Sequence, residues 1–80
     1  MNTAFTLPVI DMKATGKNIA ALREKSGLSV RELQMMLGFA TPQAIYRWQR
    51  GETMPSLDSF AMLAAALRTS MDNIVIFRKL

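Results

Sequence analysis

Neither cysteine nor histidine occurs anywhere in this 80-residue chain. Without cysteine there is no disulfide framework, and without both residue types soft-ligand metal sites and thiol or imidazole catalysis are absent. No close pair of carboxylates accompanies a glycine-rich phosphate loop, and Asp58 and Asp72 occupy helix starts where the helix dipole explains them. We therefore expect a domain that is stabilised by packing alone, is not an enzyme, and has no metal or cofactor.

Long apolar runs are also lacking. The longest, residues 60–67, has eight residues, whereas a membrane-spanning helix needs roughly 18 to 20. The amino terminus has no basic residue before Lys13 and is interrupted by Pro8 and Asp11, which does not suit a secretory signal. We expect a cytoplasmic protein with no membrane span.

The length and charge of the chain limit its organisation and its partners. Eighty residues allow one domain, residues 1–80, with one compact core. Ten basic and six acidic side chains give a net charge of +4, which suits a polyanion partner without identifying one. The position of the charges must therefore decide what the domain binds.

Amphipathic patterns and capping signals predict the first two helices. Residues 13–26 place their apolar side chains on one face, and Gly27 supplies the left-handed residue that closes a helix. Ser29 and Glu32 have the spacing of a capping box at the start of a second helix, which Gly38 ends after about two turns. One helix thus stops and another starts within a few residues.

Similar signals predict three further helices. Thr41 is the expected N-cap of the third helix, with Pro42 at its first position and Gly51 at its end. Ser56 caps a fourth helix that is apolar nearly all round, so we expect it to be central. Ser70 caps a short fifth helix.

The two termini have a different character from the predicted core of residues 13–75. Residues 5–10 are apolar without a helical period, and residues 74–77 are strand formers for which helix and strand cannot be separated by pattern. The terminal segments, residues 1–12 and 76–80, are therefore candidates for short strands. The sequence leaves open whether these strands pair within one chain or between two.

The third helix divides its side chains into two faces. At about 100° per residue, one arc carries hydrogen-bond donors and the opposite side is apolar. The donors are Gln43, Tyr46, Arg47 and Arg50, and the apolar residues are Ala44, Ile45 and Trp48. Glutamine and arginine can bond adenine and guanine edges in the major groove, although a solvated face of an ordinary core helix has the same pattern.

Several short sequence words resemble the Cro/C1-type helix-turn-helix domain, the XRE family, over roughly residues 16–75. They are LREK at 22–25, GLS at 27–29, EL at 32–33, LG at 37–38, IYRW at 45–48, RG at 50–51, PSL at 55–57, LA at 63–64 and SMD at 70–72. The resemblance implies an all-α, five-helix, lambda-repressor-like fold. It also implies binding of double-stranded DNA through the third helix, residues 42–50, by a homodimer on a two-fold operator.

The resemblance also assigns roles to particular residues. The base-reading positions of the family fall on Pro42, Gln43, Tyr46 and Arg47, with Gln43 and Arg47 as the principal readers. Its phosphate-contacting positions fall near Ser29, Arg31, Thr41, Arg50 and Thr53. Free amides and the positive end of the second helix favour phosphate there.

Four features depart from the family pattern. Val30 stands where a phosphate-binding glutamine is common, and Gln34 replaces a small alanine, which implies a wider helix crossing or an outward side chain. The turn before the third helix is one residue longer than usual. Glu52 replaces a frequent lysine and would repel phosphate.

A second class of function uses the same fold. A protein-interaction module, such as an antitoxin subunit, would also be a small helical domain with a protein partner. Seven methionines could form an adaptable binding surface, although filling gaps in the core is the explanation that we favour for them. A DNA-binding regulator is the reading that the third helix favours.

Overall fold

Five helices and two short strands form the part of the chain that the computed structural model describes, residues 7–79. The elements are β1 (Pro8–Ile10), α1 (Met12–Lys25), α2 (Val30–Leu37), α3 (Gln43–Gln49), α4 (Leu57–Ala66), α5 (Met71–Ile74) and β2 (Phe77–Lys79). The predicted five-helix fold with short terminal strands is confirmed. In the described segment, each helix is too short or too polar to span a membrane.

Local capping determines where α1 and α2 begin. Asp11 accepts a hydrogen bond from the Ala14 amide at 3.0 Å, so α1 starts at Met12. Ser29 and Glu32 form both bonds of the predicted capping box. Gly38 ends α2 with a φ of 72°, a left-handed conformation that glycine adopts without steric cost. Both boundaries of α2 are therefore as predicted.

The predicted start of the third helix was wrong by one residue. Pro42, with φ −85° and ψ 3°, occupies the cap position, and Gln43 is the first helical residue. The first helical bond is the one that the Tyr46 amide donates to the Pro42 carbonyl at 3.2 Å. Thr41 therefore lies one residue outside the cap, and no side chain caps α3.

One aliphatic side chain from each helix is completely buried. These are Ile19, Leu33, Ile45, Leu63 and Ile74. Trp48 joins this core and packs edge-to-face against Phe39, with ring centroids 5.7 Å apart. Because α2 and α5 are too short to be stable alone, this shared core is what holds them in place.

The expectation that α4 is central was wrong for one side of the helix. Leu63 and Ala64 are buried, but Leu57 is 75% exposed and Met62 is 46% exposed. The helix packs on α2 and α5, and among residues 7–79 its opposite side remains exposed. Part of the apolar surface of α4 thus faces outward.

The terminal strands pair with each other within the chain. They are antiparallel, with Ile10 opposite Phe77. Thr15 anchors this ribbon, since its hydroxyl accepts from the Ile76 amide at 2.9 Å and lies 3.3 Å from the Ile76 carbonyl. The uncertain segment 74–77 divides accordingly: Ile74 ends α5 and Phe77 begins β2. Residues 1–6 and 80 of the predicted terminal segments lie outside the described residues.

Candidate nucleic-acid interface

Helix α3 presents the polar face that its sequence predicts. Ile45 is fully buried and Trp48 nearly so, which anchors one side of the helix in the core. The side chains on the opposite side are exposed: Gln43, Tyr46, Arg47 and Arg50. Tyr46 is 44% exposed although it is aromatic. Core packing therefore uses one face of α3 and leaves the donor-rich face open to a partner.

Arg23 holds this helix in position, a role that sequence reasoning missed. The pattern places Arg23 on the outer face of α1, yet its side chain is only 13% exposed. Its Nε donates to the Gln49 side chain at 2.9 Å, and one terminal nitrogen donates to the Leu28 carbonyl at 2.7 Å. One guanidinium group thus connects α1, the end of α3 and the segment before α2. Its place in the LREK word was the only sequence signal for this role.

The long turn between α2 and α3 is held by Gln34. Its side-chain Nε2 donates to the Phe39 carbonyl at 3.2 Å, and its backbone carbonyl accepts from the Phe39 amide at 3.0 Å. Phe39 in turn packs on Trp48. The Gln34 side chain therefore adds one hydrogen bond to this turn, whereas the backbone bond is open to any residue at position 34.

The predicted phosphate residues of α2 lie at its exposed amino end. Ser29 and Arg31 are both exposed. The Ser29 amide donates to the Glu32 carboxylate at 2.8 Å, which keeps the pKa of Glu32 below its ordinary value. This amide is therefore occupied, and the hydroxyl hydrogen of Ser29 is the group left to donate to a phosphate.

The remaining predicted phosphate residues lie on either side of α3. Thr41 precedes the helix, while Arg50 and Thr53 follow it, and all three are exposed. Arg50 is engaged by Glu52, with Nε at 2.7 Å and a terminal nitrogen at 3.2 Å from the carboxylate oxygens. These bonds raise the pKa of Arg50 and lower that of Glu52. A phosphate at Arg50 must therefore compete with Glu52.

Pro42 is the predicted base-reading residue that fits least well. It is half-buried and stands before the first turn of α3, whereas Gln43, Tyr46 and Arg47 project from the helix itself. A proline offers neither an amide nor a polar side chain. Its contribution to a base contact is therefore limited to van der Waals packing.

Comparison with known proteins places this geometry in a family. A protein-family model described as helix-turn-helix (HTH_3) matches residues 19–74. The restriction-modification controller protein C.AhdI from Aeromonas hydrophila is similar, with 26% identity and a TM-score of 0.73 over 80% of this chain and 96% of that one. None of the curated proteins that were compared matches the chain.

Two further solved structures share the fold. The clp gene regulator ClgR from Corynebacterium glutamicum has 24% identity and a TM-score of 0.71, over 79% of this chain and 66% of that one. Apo-HppE has 23% identity and a TM-score of 0.73, over 81% of this chain but only 36% of its own length. The same fold therefore occurs as a small separate protein and as a minor part of a larger one.

Proposed function

Because the chain belongs to the XRE-type helix-turn-helix family of DNA-binding transcriptional regulators, we propose that helix α3 reads base edges in the major groove of duplex DNA. The observation that supports this proposal is the exposed donor-rich face of a helix whose other face is locked in the core. In a helix-turn-helix motif, the second helix enters the major groove, while the first helix crosses the DNA backbone. Residues 42–50 thus become the recognition segment.

The chemistry of each side chain suggests its base. Gln43 can donate to and accept from adenine N7 and N6, and Arg47 can donate to guanine O6 and N7. Tyr46 can donate to a phosphate or pack on a thymine methyl group. Pro42 contributes van der Waals contact only. Gln43 and Arg47 are therefore the principal readers.

Phosphate contacts set the register of the protein on DNA. Ser29 and Arg31 contact the DNA backbone from the start of α2, Thr41 contacts it from the segment before α3, and Arg50 and Thr53 contact it from the segment after α3. These contacts carry affinity and salt dependence without sequence preference. Specificity then rests on the readers of α3.

Two copies of the chain bind one operator in this proposal. One helix of seven residues contacts too few base pairs for a useful specificity ratio, because each mismatched pair costs only about 1 to 3 kcal/mol. Two copies related by a two-fold axis double the number of pairs that are read, with half-sites about 34 Å apart. The exposed apolar side of α4 is the surface that we assign to the second copy, since β1 and β2 already pair within one chain.

Binding measurements on selected and random DNA test the proposal. In vitro selection first supplies the preferred sequence. With some eight phosphate contacts in the dimer, log K should then fall against log salt with a slope of about −7. The absence of salt-dependent binding to any duplex would refute the function.

Single substitutions test the division of roles. Arg47→Ala should cost about 1 to 3 kcal/mol on selected DNA and relax one base position. Arg50→Ala should weaken binding to selected and random DNA about equally. Equal losses on both DNAs for both variants would remove the base-reading role of Arg47.

A further inference from the structure

Helix α1 crosses the end of α3 at two glycines, and their lack of side chains brings the two backbones together. A Cβ atom on Gly16 would lie 2.7 Å from the Gln49 carbonyl oxygen, and one on Gly51 would lie 2.8 Å from the Lys13 Cα atom. No larger residue fits at either position without movement of the backbone. The amino-terminal half of α1 is therefore held directly beside the end of the recognition helix.

This close crossing gathers cationic side chains around one depression. Its volume is about 510 Å³, and Lys13, Lys17 and Arg50 line it together with Glu52. Lys13 and Lys17 are four residues apart on α1, so they project from the same face one turn apart. Both lysines are exposed.

The charges of this depression are unevenly matched. Glu52 is its only acidic lining residue, and the carboxylate is bonded to Arg50. Among residues 7–79, neither Lys13 nor Lys17 forms a salt bridge. Three cations and one anion leave a net charge of +2 on the side of the domain that adjoins the recognition helix.

Exposed lysines on a helix ordinarily form a solvated face, and many depressions of this kind on protein surfaces bind no ligand. Two features distinguish this pair. The lysines line the same depression as Arg50, which follows α3, and the glycine crossing fixes the backbone of α1 that carries them. A polyanion that contacts the end of α3 therefore meets both ammonium groups.

We propose that Lys13 and Lys17 bind backbone phosphates of duplex DNA beside the base pairs that α3 reads. This extends the phosphate-binding surface from Arg50 onto α1 and rests on the proposed DNA-binding function. Lysine suits this task because its ammonium group is a compact charge on a long, adaptable stem. The contact releases counterions and contributes no sequence preference.

The double variant Lys13→Gln with Lys17→Gln in the full chain tests the proposal. The variant loses two phosphate contacts in each protomer. The slope of log K against log salt should therefore become shallower by about 1.8 per protomer, and binding should weaken roughly tenfold or more near physiological salt. The loss should be equal on selected and random DNA. The conservative variant Lys13→Arg with Lys17→Arg should bind like the unmodified chain.

The double variant Lys25→Gln with Arg68→Gln, called the Arg68 variant, is the matched control because it also removes two positive charges. Arg68 lines a separate depression, with Lys25 and Met36, to which α3 contributes no residue. A double glutamine variant that keeps the slope, or that loses no more than the Arg68 variant, overturns the proposal while the unmodified chain still binds DNA. A chain that binds no duplex at all instead refutes the proposed function itself.

Discussion

Gly16 allows the backbone of α1 to lie directly beside the end of α3. It is buried in α1, and its backbone lies against the carbonyl groups at the end of α3. Arg23 adds a polar connection between the same two helices, through the Gln49 side chain. Gly16 therefore stabilises the interface between α1 and α3 by close backbone contact, and Arg23 stabilises it by a side-chain hydrogen bond.

Replacing Gly16 with alanine should destabilise the protein by about 3 kcal/mol, near the upper end for overpacking. The added methyl group would meet backbone atoms, which cannot rotate away as a side chain could. Urea unfolding followed by circular dichroism measures the loss. Gly27→Ala is the control: its φ is +75° with nothing within 4 Å of the added carbon, so it should cost only about 1 to 2 kcal/mol for backbone strain. Equal losses would contradict the steric explanation.

Glu52→Gln should strengthen binding to DNA of any sequence. The carboxylate holds Arg50 through two hydrogen bonds and repels phosphate at the same place. The neutral amide would release the guanidinium group, so affinity should rise several-fold and the salt slope should steepen by up to about 1.

The control for this substitution is Glu24→Gln. Glu24 also forms a salt bridge with an arginine, since it lies 3.7 Å from Arg23, but this pair lies at the carboxyl-terminal end of α1. Titration of labelled duplexes at several salt concentrations compares the two variants. Weaker DNA binding by the Glu52 variant would show that the ion pair helps to present Arg50 rather than withholding it.

Among the helices, α2 depends most clearly on its amino-terminal cap. The helix has eight residues, too few to be stable in isolation. The capping box satisfies two amides at its start, those of Ser29 and Glu32. Helix α3, by contrast, has no side-chain cap, and it depends on Ile45, Trp48 and the bonds of Arg23.

Ser29→Ala should lower the free energy of unfolding by about 1 kcal/mol, the usual cost of losing a cap. Ser29→Asn, whose side chain can still accept the bond from the Glu32 amide, should retain most of that stability. Urea denaturation of the two variants at neutral pH makes the comparison. An alanine variant as stable as the asparagine variant would mean that packing alone holds α2.

The same cap makes stability depend on pH. The bonds from Ser29 hold the pKa of Glu32 below its ordinary value of 4.5, and Arg50 does the same for Glu52. Both contributions are therefore present above pH 4.5 and are lost as the pH falls below that value through the lowered pKa values. Stability should decline in this acid range, and Glu32→Gln should reduce the decline in urea unfolding measured against pH, because a side-chain amide does not titrate there.

Among residues 7–79, one side of α4 is exposed to solvent. Leu57, Ala61, Met62 and Ala65 are exposed along this helix. Apolar surface on a small domain commonly marks a site of association. In the proposed dimer, a second copy on this surface would supply the second copy of α3 that the proposed operator requires.

Ala61→Glu should therefore convert a dimer to a monomer. Ala61 is exposed in the single chain, so the fold should survive, whereas a carboxylate buried between two copies would be costly. Sedimentation should show the mass reduced by half, and affinity for a two-site operator should fall towards that for one half-site.

Phe77→Glu provides the matched control, because Phe77 lies on the terminal ribbon and is 57% exposed. It should leave the mass unchanged. A monomeric Phe77 variant together with a dimeric Ala61 variant would place the association at the ribbon instead.

Local interactions explain why so much of this fold could be predicted. The cap at Ser29, the stop at Gly38 and the two faces of α3 each depend on residues within one or two turns of each other. The caps of α4 and α5 at Ser56 and Ser70 follow the same rule. For this reason, helix number, helix order and the exposed donors of the recognition helix were accessible from sequence.

Only the tertiary structure decided the contacts between residues that are far apart in the chain. The burial of Arg23 depends on Gln49, the pairing of β1 with β2 depends on both termini, and the open side of α4 depends on which helices remain to cover it. Periodicity describes a single element and contains no information about its neighbours. The sequence by itself determined the helices and the donor-rich face of α3, and long-range packing determined how that face is held and which side of α4 is left exposed.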